Sequence, residues 1–470
     1  MAAALALAVY LVLLGAAAVA VWRRPTLALY AFVVGLAAHN AVMASLYAGG
    51  VRGSALTAIQ AWKEILLAVA VARVTVDAVR ARRLPLRPGL ADWLAVAFGA
   101  LCVLYALIPQ SALGGLADRK AVLYGLRHDV VPVVTFLLFR SLGLDRAARR
   151  RLAWTVLGTA AAVALIGLVD VYAVSIGWWR GNGVADYFHR QLGYDYHGTG
   201  GLPENFIYNT GSEAHFLRRL VSLFLSPLAS AYLIVVALLL APRRALAVPL
   251  AALAFAGLLF TFSRSSLLAL AAGLVVVAVA RRSAVPLVAA VAVVAVGIGW
   301  ASVFPSIGPT GHWTQADLVY QHQVSQQRGP ASGSALSDRE PSIRSHLANL
   351  KQGVRTVLHH PQGYGLGNAG QTASRTGTPL RAGESNYTEL GAEVGLLGAA
   401  LWLAWGLAVL VGLLAAARSG GSATVAGMAG AFAAVLALAV QTDVIGDPWV
   451  AYCVWGLAGG MLAPLATVRE

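Results

Sequence analysis

Long apolar runs, separated by short polar connections, repeat along the whole chain. Each has about the length that an α-helix needs to cross a bilayer, roughly 17–25 residues. The pattern therefore predicts an all-α polytopic membrane protein with about 12–13 transmembrane helices. The first run lacks a small-residue cleavage site followed by a polar region, so we expect a retained helix. The predicted spans are 3–21, 27–47, 56–76, 91–109, 121–140, 152–176, 222–241, 246–262, 265–280, 284–304, 391–416, 424–441 and 450–465.

Composition agrees with a membrane protein. Of the 470 residues, 59% are hydrophobic and 12% charged, whereas roughly a quarter of a soluble domain is charged. The net charge of +15 could indicate nucleic-acid binding, but Arg and Lys cluster in every second connection. Basic short loops mark the cytoplasmic side, so the charge sets orientation and attracts anionic lipids. Cys102 and Cys453 both lie in predicted spans and indicate neither a disulfide framework nor a metal site.

This orientation places two long segments on the extracytoplasmic side, where long loops tend to carry function. The expected organisation is N-terminal helices at 1–176, an external segment at 177–221, central helices at 222–304, a large external loop at 305–390 and C-terminal helices at 391–470.

Arg264 lies in a short polar turn between two apolar runs. A permanent cation at a membrane hairpin is costly unless it holds an anion. Further cations are expected at the same outer face: Lys63, Arg127, Arg218, Arg219 and Arg344. A ring of cations beside a carboxylate suits a diphosphate and acid–base chemistry. Lys63, next to Glu64, could instead belong to an ion pair between helices.

Glu384 lies at the outer mouth of a predicted span, where it is either a helix cap or a general base. Glu393, deeper in the same span, is expected to be structural. Before them, 341–361 has the periodicity of an amphipathic helix, and a glycine-rich turn follows. The turn lacks the preceding strand of a dinucleotide fingerprint and is expected to pack closely on a ligand or a helix. His359 and His360 are adjacent and cannot share a helix face, which argues against a metal site.

Several motifs in order resemble the O-antigen ligase and polymerase superfamily over roughly residues 205–420. The segment 219–227 resembles Arg-x-x-Gly-x-Phe-x-Asn-Pro, with Ser222 and Ser226 replacing Gly and Asn. The turn 261–264 resembles Thr-x-Ser-Arg. Arg344 with His360 and the glycine-rich turn resembles the external-loop signature, and 384–398 resembles the motif that opens the following helix.

The resemblance implies a membrane glycosyltransferase of the C class, without metal or cofactor and with inversion, in the bacterial inner membrane. Its donor would be an undecaprenyl-diphosphate-linked glycan, used on the periplasmic face. Arg219, Arg264 and Arg344 would hold the diphosphate and Glu384 would act as base. The predicted substrate contacts are Lys63, Arg127, Arg218, His360, Asn386 and Tyr387.

Many ligases of this superfamily have His at the position of Glu384, whereas relatives that polymerise polysaccharide often have Glu-Ser-x-Tyr. A repeat-unit polymerase is therefore favoured over a ligase that transfers glycan to lipid A core. A solute transporter is the rival from another class, but neither an internal repeat nor a cluster of charges at mid-membrane is evident. A third alternative is a non-catalytic membrane scaffold, but that role does not explain why cations are expected near Glu384.

Overall fold

The protein is predominantly helical over residues 2–328, 341–420 and 422–463, the parts described by the structure, which is a computed structural model. Residues 329–340 of the predicted large loop and the end of the last predicted span lie outside these ranges. The helices of the first half are α1 (Ala2–Arg23), α2 (Leu27–Ala48), α3 (Gly53–Gln60), α4 (Trp62–Ala81), α5 (Leu90–Leu107), α6 (Arg119–Leu142), α7 (Arg146–Ala173), α8 (Ile176–Gly181), α9 (Val184–Asp186), α10 (Pro227–Leu240) and α11 (Ala247–Phe260). Those of the second half are α12 (Arg264–Arg281), α13 (Val285–Ile307), α14 (Gln315–Arg328), α15 (Pro341–His359), α16 (Gly370–Thr376), α17 (Asn386–Gly420), α18 (Ala423–Leu438) and α19 (Trp455–Leu462).

Every predicted apolar run is helical, but the helices differ in length. In the described part of the chain, eight are long and apolar enough to cross a membrane, or nine if α3 and α4, bent by 40°, form one span. Four further apolar helices have only 10–17 residues: α10, α11, α18 and the stretch Val450–Leu462. The all-α polytopic membrane architecture is confirmed, whereas the predicted span 222–241 is too long, because α10 begins only at Pro227.

The short helix α10 lies in the centre of the bundle, with twelve of its fourteen residues buried. It contacts α7, α11, α12 and α18. A helix that is apolar on every side is stable only when neighbours surround it. By contrast, only 6% of the apolar window of α1 is buried, as expected for a helix whose side chains face lipid.

Helices α12 and α18 approach each other closely at a pair of glycines. A Cβ on Gly430 would lie 2.6 Å from the carbonyl oxygen of Gly273. Small residues let helix backbones approach in membranes, where packing rather than hydrophobic burial drives association. Large aromatic side chains fill the other end of the core, where Trp405 stacks on Trp455 with ring centroids 4.0 Å apart.

A small antiparallel sheet, which the all-α prediction missed, joins the segment 177–221 to the start of the large loop. Its strands are β1 (Ile207–Tyr208), β2 (His215–Arg218) and β3 (Thr310–His312), in that order across the sheet. Asp317 on α14 reinforces the junction, because its Oδ2 accepts hydrogen bonds from Arg180 at 3.0 Å and Thr199 at 2.7 Å. The segment 177–221 and the start of the predicted large loop are therefore joined to each other by the sheet and by Asp317.

Candidate active site

The glycine-rich turn fills a break in α17. The backbone of α17 leaves helical geometry at Val394 and Gly395, which frees polar groups on both sides of the break. The turn pairs them: the Tyr364 N–H donates to the Ala392 carbonyl at 2.6 Å, and the Leu396 N–H donates to the Pro361 carbonyl at 2.8 Å. Broken helices are tolerated in membranes where other protein groups satisfy the backbone. The turn thus positions the first two turns of α17 separately from the rest of the span.

Glu393 ties the same turn down with its side chain. Its buried carboxylate accepts hydrogen bonds from the N–H groups of Gly367 at 2.8 Å and Ala369 at 3.3 Å. These contacts agree with the structural role expected for Glu393. Gly363 adopts a left-handed φ of 75°, and a Cβ there would lie 2.5 Å from the Gly395 nitrogen. From the sequence, we expected this turn to pack on a ligand or on a helix, and it packs on a helix.

His360 is held within this turn region. Its Nε2 lies 2.8 Å from the Leu113 carbonyl oxygen, and its ring stacks on Tyr364 with centroids 3.9 Å apart. His360 therefore has a packing role, since the ring face and one ring nitrogen both contact protein, and its role as a substrate contact stays a prediction.

Glu384 forms a close pair with a histidine that the sequence analysis missed. The Glu384 Oε2 lies 2.6 Å from Nδ1 of His346 on α15, and both side chains are somewhat more than a third exposed. Glu384 also has a left-handed φ of 68°, which is uncommon for a residue with a side chain and is found at functional sites. The pair unites a carboxylate that can accept a proton with a group that can orient it.

The spacing along α15 contained a signal for His346. His346, Leu350, Gly353 and Val357 recur at intervals of three and four, and Gly353 and Val357 lie against α17. His346 is thus on the inner face of the helix. Arg344, in the first turn of α15, is exposed and lies off that face, since it precedes His346 by two residues.

Asn386 stabilises the neighbouring loop 439–449. Its Nδ2 donates to Asp443 Oδ1 at 2.8 Å, and its Oδ1 accepts from the N–H groups of Val444 at 2.8 Å and Ile445 at 3.1 Å. Both polar atoms of this buried side chain are hydrogen-bonded within the protein, which gives Asn386 a structural role, and its role as a substrate contact stays a prediction. The Tyr387 hydroxyl donates to the Leu436 carbonyl at 3.1 Å and holds the same region.

Arg219 and Arg264 come together at the beginning of α12. The Arg219 Nε donates to the Thr261 carbonyl at 2.8 Å, three residues before Arg264. Ser263 caps α12, so Arg264 is its first residue. Burial, followed by repulsion from Arg264, lowers the pKa of Arg219 from 12.5 to about 10. Two cations at a helix N-terminus, where the backbone N–H groups also favour negative charge, make a site for an anion.

The geometry around Arg219 explains two motif positions. Ser222, where the related motif has Gly, adopts a left-handed φ of 50°, a conformation that Gly takes without strain. Ser226, where the motif has Asn, caps α10 by accepting the Ala229 N–H at 3.3 Å. Both exchanges keep the local structure. The turn before Arg264 is strained in the same way, with a φ of 49° at Phe262.

Arg218 points away from Arg219 and is fully engaged. Its guanidinium group donates to the carbonyls of Asp170 at 3.3 Å and Val171 at 3.2 Å, and to that of Val174, at the end of α7. It also lies 3.5 Å from the Asp170 carboxylate. These contacts give Arg218 a structural role, since adjacent residues at the end of a strand face opposite sides, and its role as a substrate contact stays a prediction.

Lys63 and Arg127 lie in a second group around Glu64. Arg127 Nη2 lies 2.6 Å from Glu64 Oε1, and Lys63 Nζ lies 3.7 Å from Glu64 Oε2. Lys63 is buried and donates to the Gln60 carbonyl at 2.8 Å. From the sequence, we considered that Lys63 could belong to an ion pair between helices. Such a pair is present, since Glu64 joins Lys63 on α4 to Arg127 on α6. Both cations line a cavity of about 430 Å³ that neither Arg219, Arg264 nor Glu384 lines. The cations that we expected in a single ring therefore lie in two groups, one with Lys63 and Arg127 and the other with Arg219 and Arg264.

The described residues thus form a multi-pass membrane protein with two cations close together at a helix N-terminus and a carboxylate–histidine pair. Comparison with known families makes this more specific. Residues 249–403 match the family described as O-antigen ligase. The match confirms the resemblance found in the motifs and supports a membrane glycosyltransferase of the O-antigen ligase and polymerase type. It includes Arg264, His346 and Glu384, whereas Arg219 precedes it. No curated protein matches the chain.

Proposed function

We propose that the protein transfers a glycan from undecaprenyl diphosphate to a hydroxyl of an acceptor sugar, and that it polymerises repeat units of a surface polysaccharide on the periplasmic face of the bacterial inner membrane. The observation that carries this proposal is the pairing of Arg219 and Arg264 at the N-terminus of α12. Two cations close together at a helix N-terminus suit a multivalent anion, and a lipid diphosphate is one.

In the proposed reaction, the acceptor hydroxyl oxygen attacks the anomeric carbon from the face opposite the diphosphate. The bond between the anomeric carbon and the diphosphate oxygen breaks, and the lipid diphosphate leaves with that electron pair. Arg219, Arg264 and Arg344 would stabilise the negative charge that develops on it. In-line attack inverts the anomeric centre, and fixed guanidinium groups take the place of a metal ion.

Glu384 is proposed to take the proton of the attacking hydroxyl. Its hydrogen bond with His346 fixes the direction of the carboxylate. A base contributes about 10²–10⁴-fold to such a transfer. Glu in place of the His of many ligases favours polymerisation over ligation to lipid A core.

The experiment compares Glu384→Gln with Glu213→Gln in a transfer assay with undecaprenyl-diphosphate-linked oligosaccharide and EDTA. Glu213 is a matched control, because it also pairs with a histidine, His322, at 3.1 Å but is far more exposed. We expect Glu384→Gln to lose at least about 100-fold in kcat while diphosphate binding stays within threefold. A Glu384→Gln protein with wild-type kcat would contradict the assignment of the base.

A further inference from the structure

The cavity of about 430 Å³ plays no part in the reaction as proposed above. We call it the inner cavity; its walls are α2, α3, α4, α6 and α10, the segment 187–205 and the loop 442–452. Its volume is within the range of about 300–1,000 Å³ that small-molecule sites occupy. The segment 187–205 closes it from one side, where Gln60 on α3 donates a hydrogen bond to the Tyr187 hydroxyl at 3.2 Å.

Aromatic side chains form one wall of the inner cavity. Tyr194 and Tyr196 stack with ring centroids 5.2 Å apart and planes inclined by 14°. Phe188 stands nearly perpendicular to Tyr196 at 5.4 Å. Tyrosine combines an apolar ring face with a hydroxyl, and such rings are rigid contact surfaces that cost little conformational entropy. This wall suits a ligand with an apolar face and a polar rim.

Charges of both signs also line the inner cavity. The cations are Lys63, Arg127 and Arg375, and the carboxylates are Glu64, Asp443 and Asp447. The mixture disfavours a strongly anionic ligand and a cationic one equally, because either would meet like charge. A neutral ligand with many hydroxyl groups, each able to donate and to accept, matches both signs at once.

One polar group lacks the partner that a ligand would supply. Asn205 lines the cavity, and its buried Oδ1 accepts no hydrogen bond within the described residues. A buried acceptor without a donor is costly, and a ligand hydroxyl would satisfy it. His128 also lines the cavity, with Nδ1 2.8 Å from Asp129 Oδ1 and Nε2 3.3 Å from Asp443 Oδ1. The aspartates orient its ring toward the loop 442–452.

The inner cavity adjoins both parts of the candidate active site. Asp443 lines it and accepts a hydrogen bond from Asn386, two residues after Glu384. Tyr232 also lines it, is hydrogen-bonded to Thr442 at 3.1 Å, and is close enough to Arg219 to influence its pKa. A ligand in the cavity would therefore lie beside the residues that we assign to transfer.

We propose that the inner cavity binds a sugar ring of the glycan substrate, with Tyr194 and Tyr196 as the stacking wall and Asn205 as a hydrogen-bonding group. This inference rests on the proposed function. The sugar belongs either to the donor, near its reducing end, or to the acceptor, near its non-reducing end, because both ends meet at the transfer site.

The test measures binding of the free repeat-unit oligosaccharide, released by mild acid from the lipid-linked precursor of the host cell, to purified protein by calorimetry. We expect Tyr196→Ala and Asn205→Leu to weaken binding about tenfold each. Tyr320→Ala is the matched control, because Tyr320 stacks on a neighbouring external residue, His197, at 5.5 Å and does not line the cavity. The control is expected to bind as the wild type does.

Two modified oligosaccharides distinguish the sources. Reduction of the reducing-end ring to an open alditol weakens binding if the cavity holds a donor sugar, whereas enzymatic removal of the non-reducing terminal sugar weakens it if the cavity holds an acceptor sugar. Wild-type affinity in both cavity variants, or no binding by the wild type, would overturn the inference. Undecaprenyl diphosphate binding is measured alongside. A protein that binds the oligosaccharide but not this diphosphate would support the cavity and contradict the proposed function.

Discussion

Replacing Arg264 with alanine should remove much of the affinity for a lipid diphosphate without unfolding the protein. Arg219, held 2.8 Å from the Thr261 carbonyl, stays beside Arg264 although burial and repulsion lower its pKa from 12.5 to about 10. One pKa unit corresponds to about 1.4 kcal/mol. After a discount because Arg219 is only partly buried, the shift corresponds to a free-energy cost of about 2–3 kcal/mol for the charged guanidinium group. A bound diphosphate would relieve this repulsion.

The expected loss follows from the contacts that a guanidinium group makes. A hydrogen bond between charged groups contributes about 1.5–3 kcal/mol, so Arg264→Ala should weaken diphosphate binding by roughly 10–150-fold. The transfer rate should fall further, by about 10²–10³-fold, because charge builds up on the leaving diphosphate in the transition state. Arg264→Lys keeps the charge but loses the planar fork, so its loss should be intermediate, about tenfold.

The assay is calorimetric binding of undecaprenyl diphosphate in detergent, combined with kcat/KM for glycan transfer. Arg281→Ala is the control, since Arg281 ends the same helix that Arg264 begins. A folded Arg264→Ala protein whose diphosphate affinity and transfer rate both stay within threefold of the wild type would refute the reasoning.

Three further predictions concern the framework of the site. Gly363→Ala should lower the free energy of unfolding by at least about 2 kcal/mol, because φ is 75° and the new Cβ would lie 2.5 Å from the Gly395 nitrogen. Gly377→Ala is the control, since φ is 71° there but nothing lies within 4 Å of the new Cβ. In the same melting experiment it should destabilise the protein less. Although burial raises the pKa of Asp317, hydrogen bonds from Thr314 and Thr199 hold it below 3.8. The Asp317 carboxylate therefore stabilises the folded protein above pH ~4, and this stabilisation is lost as the pH falls through the pKa of Asp317 in the folded state. Asp317→Asn should lower Tm more at pH 7 than at pH 3, and an equal loss at both would contradict this. Arg218→Ala should cost about 3 kcal/mol of stability by leaving the Asp170 carboxylate with the Trp179 N–H but without a cation, while kcat of the folded protein stays near wild type. A lost kcat would support the predicted substrate contact at Arg218.

Much of the fold was predictable because apolar periodicity is a local property. Each predicted run became a helix, and the motifs pointed to the turn that joins Arg219 and Arg264. The start of α10 was missed because left-handed φ values at Ser222 and Leu225, which end the preceding turn, leave no trace in hydropathy. The sheet was missed because strands of two to four residues are too short to show alternation.

The side-chain partners were less predictable, because they come from distant parts of the chain. Nothing local distinguishes Arg218, which caps α7, from Arg219, which faces Arg264. Asn386 belongs to a motif of the family, yet its partner Asp443 lies 57 residues away. His346 could have been found from its face on α15, but only once that face was known to contact α17.

The most direct test of the central claim is a transfer reaction with purified protein, undecaprenyl-diphosphate-linked oligosaccharide and EDTA, with the products resolved by size. The account predicts a ladder of longer lipid-linked glycans from the wild-type protein, and none from Arg264→Ala. Transfer only after lipid A core is added would contradict the polymerase assignment and make the protein a ligase. A folded wild-type protein that forms no product with either acceptor would contradict glycan transfer itself.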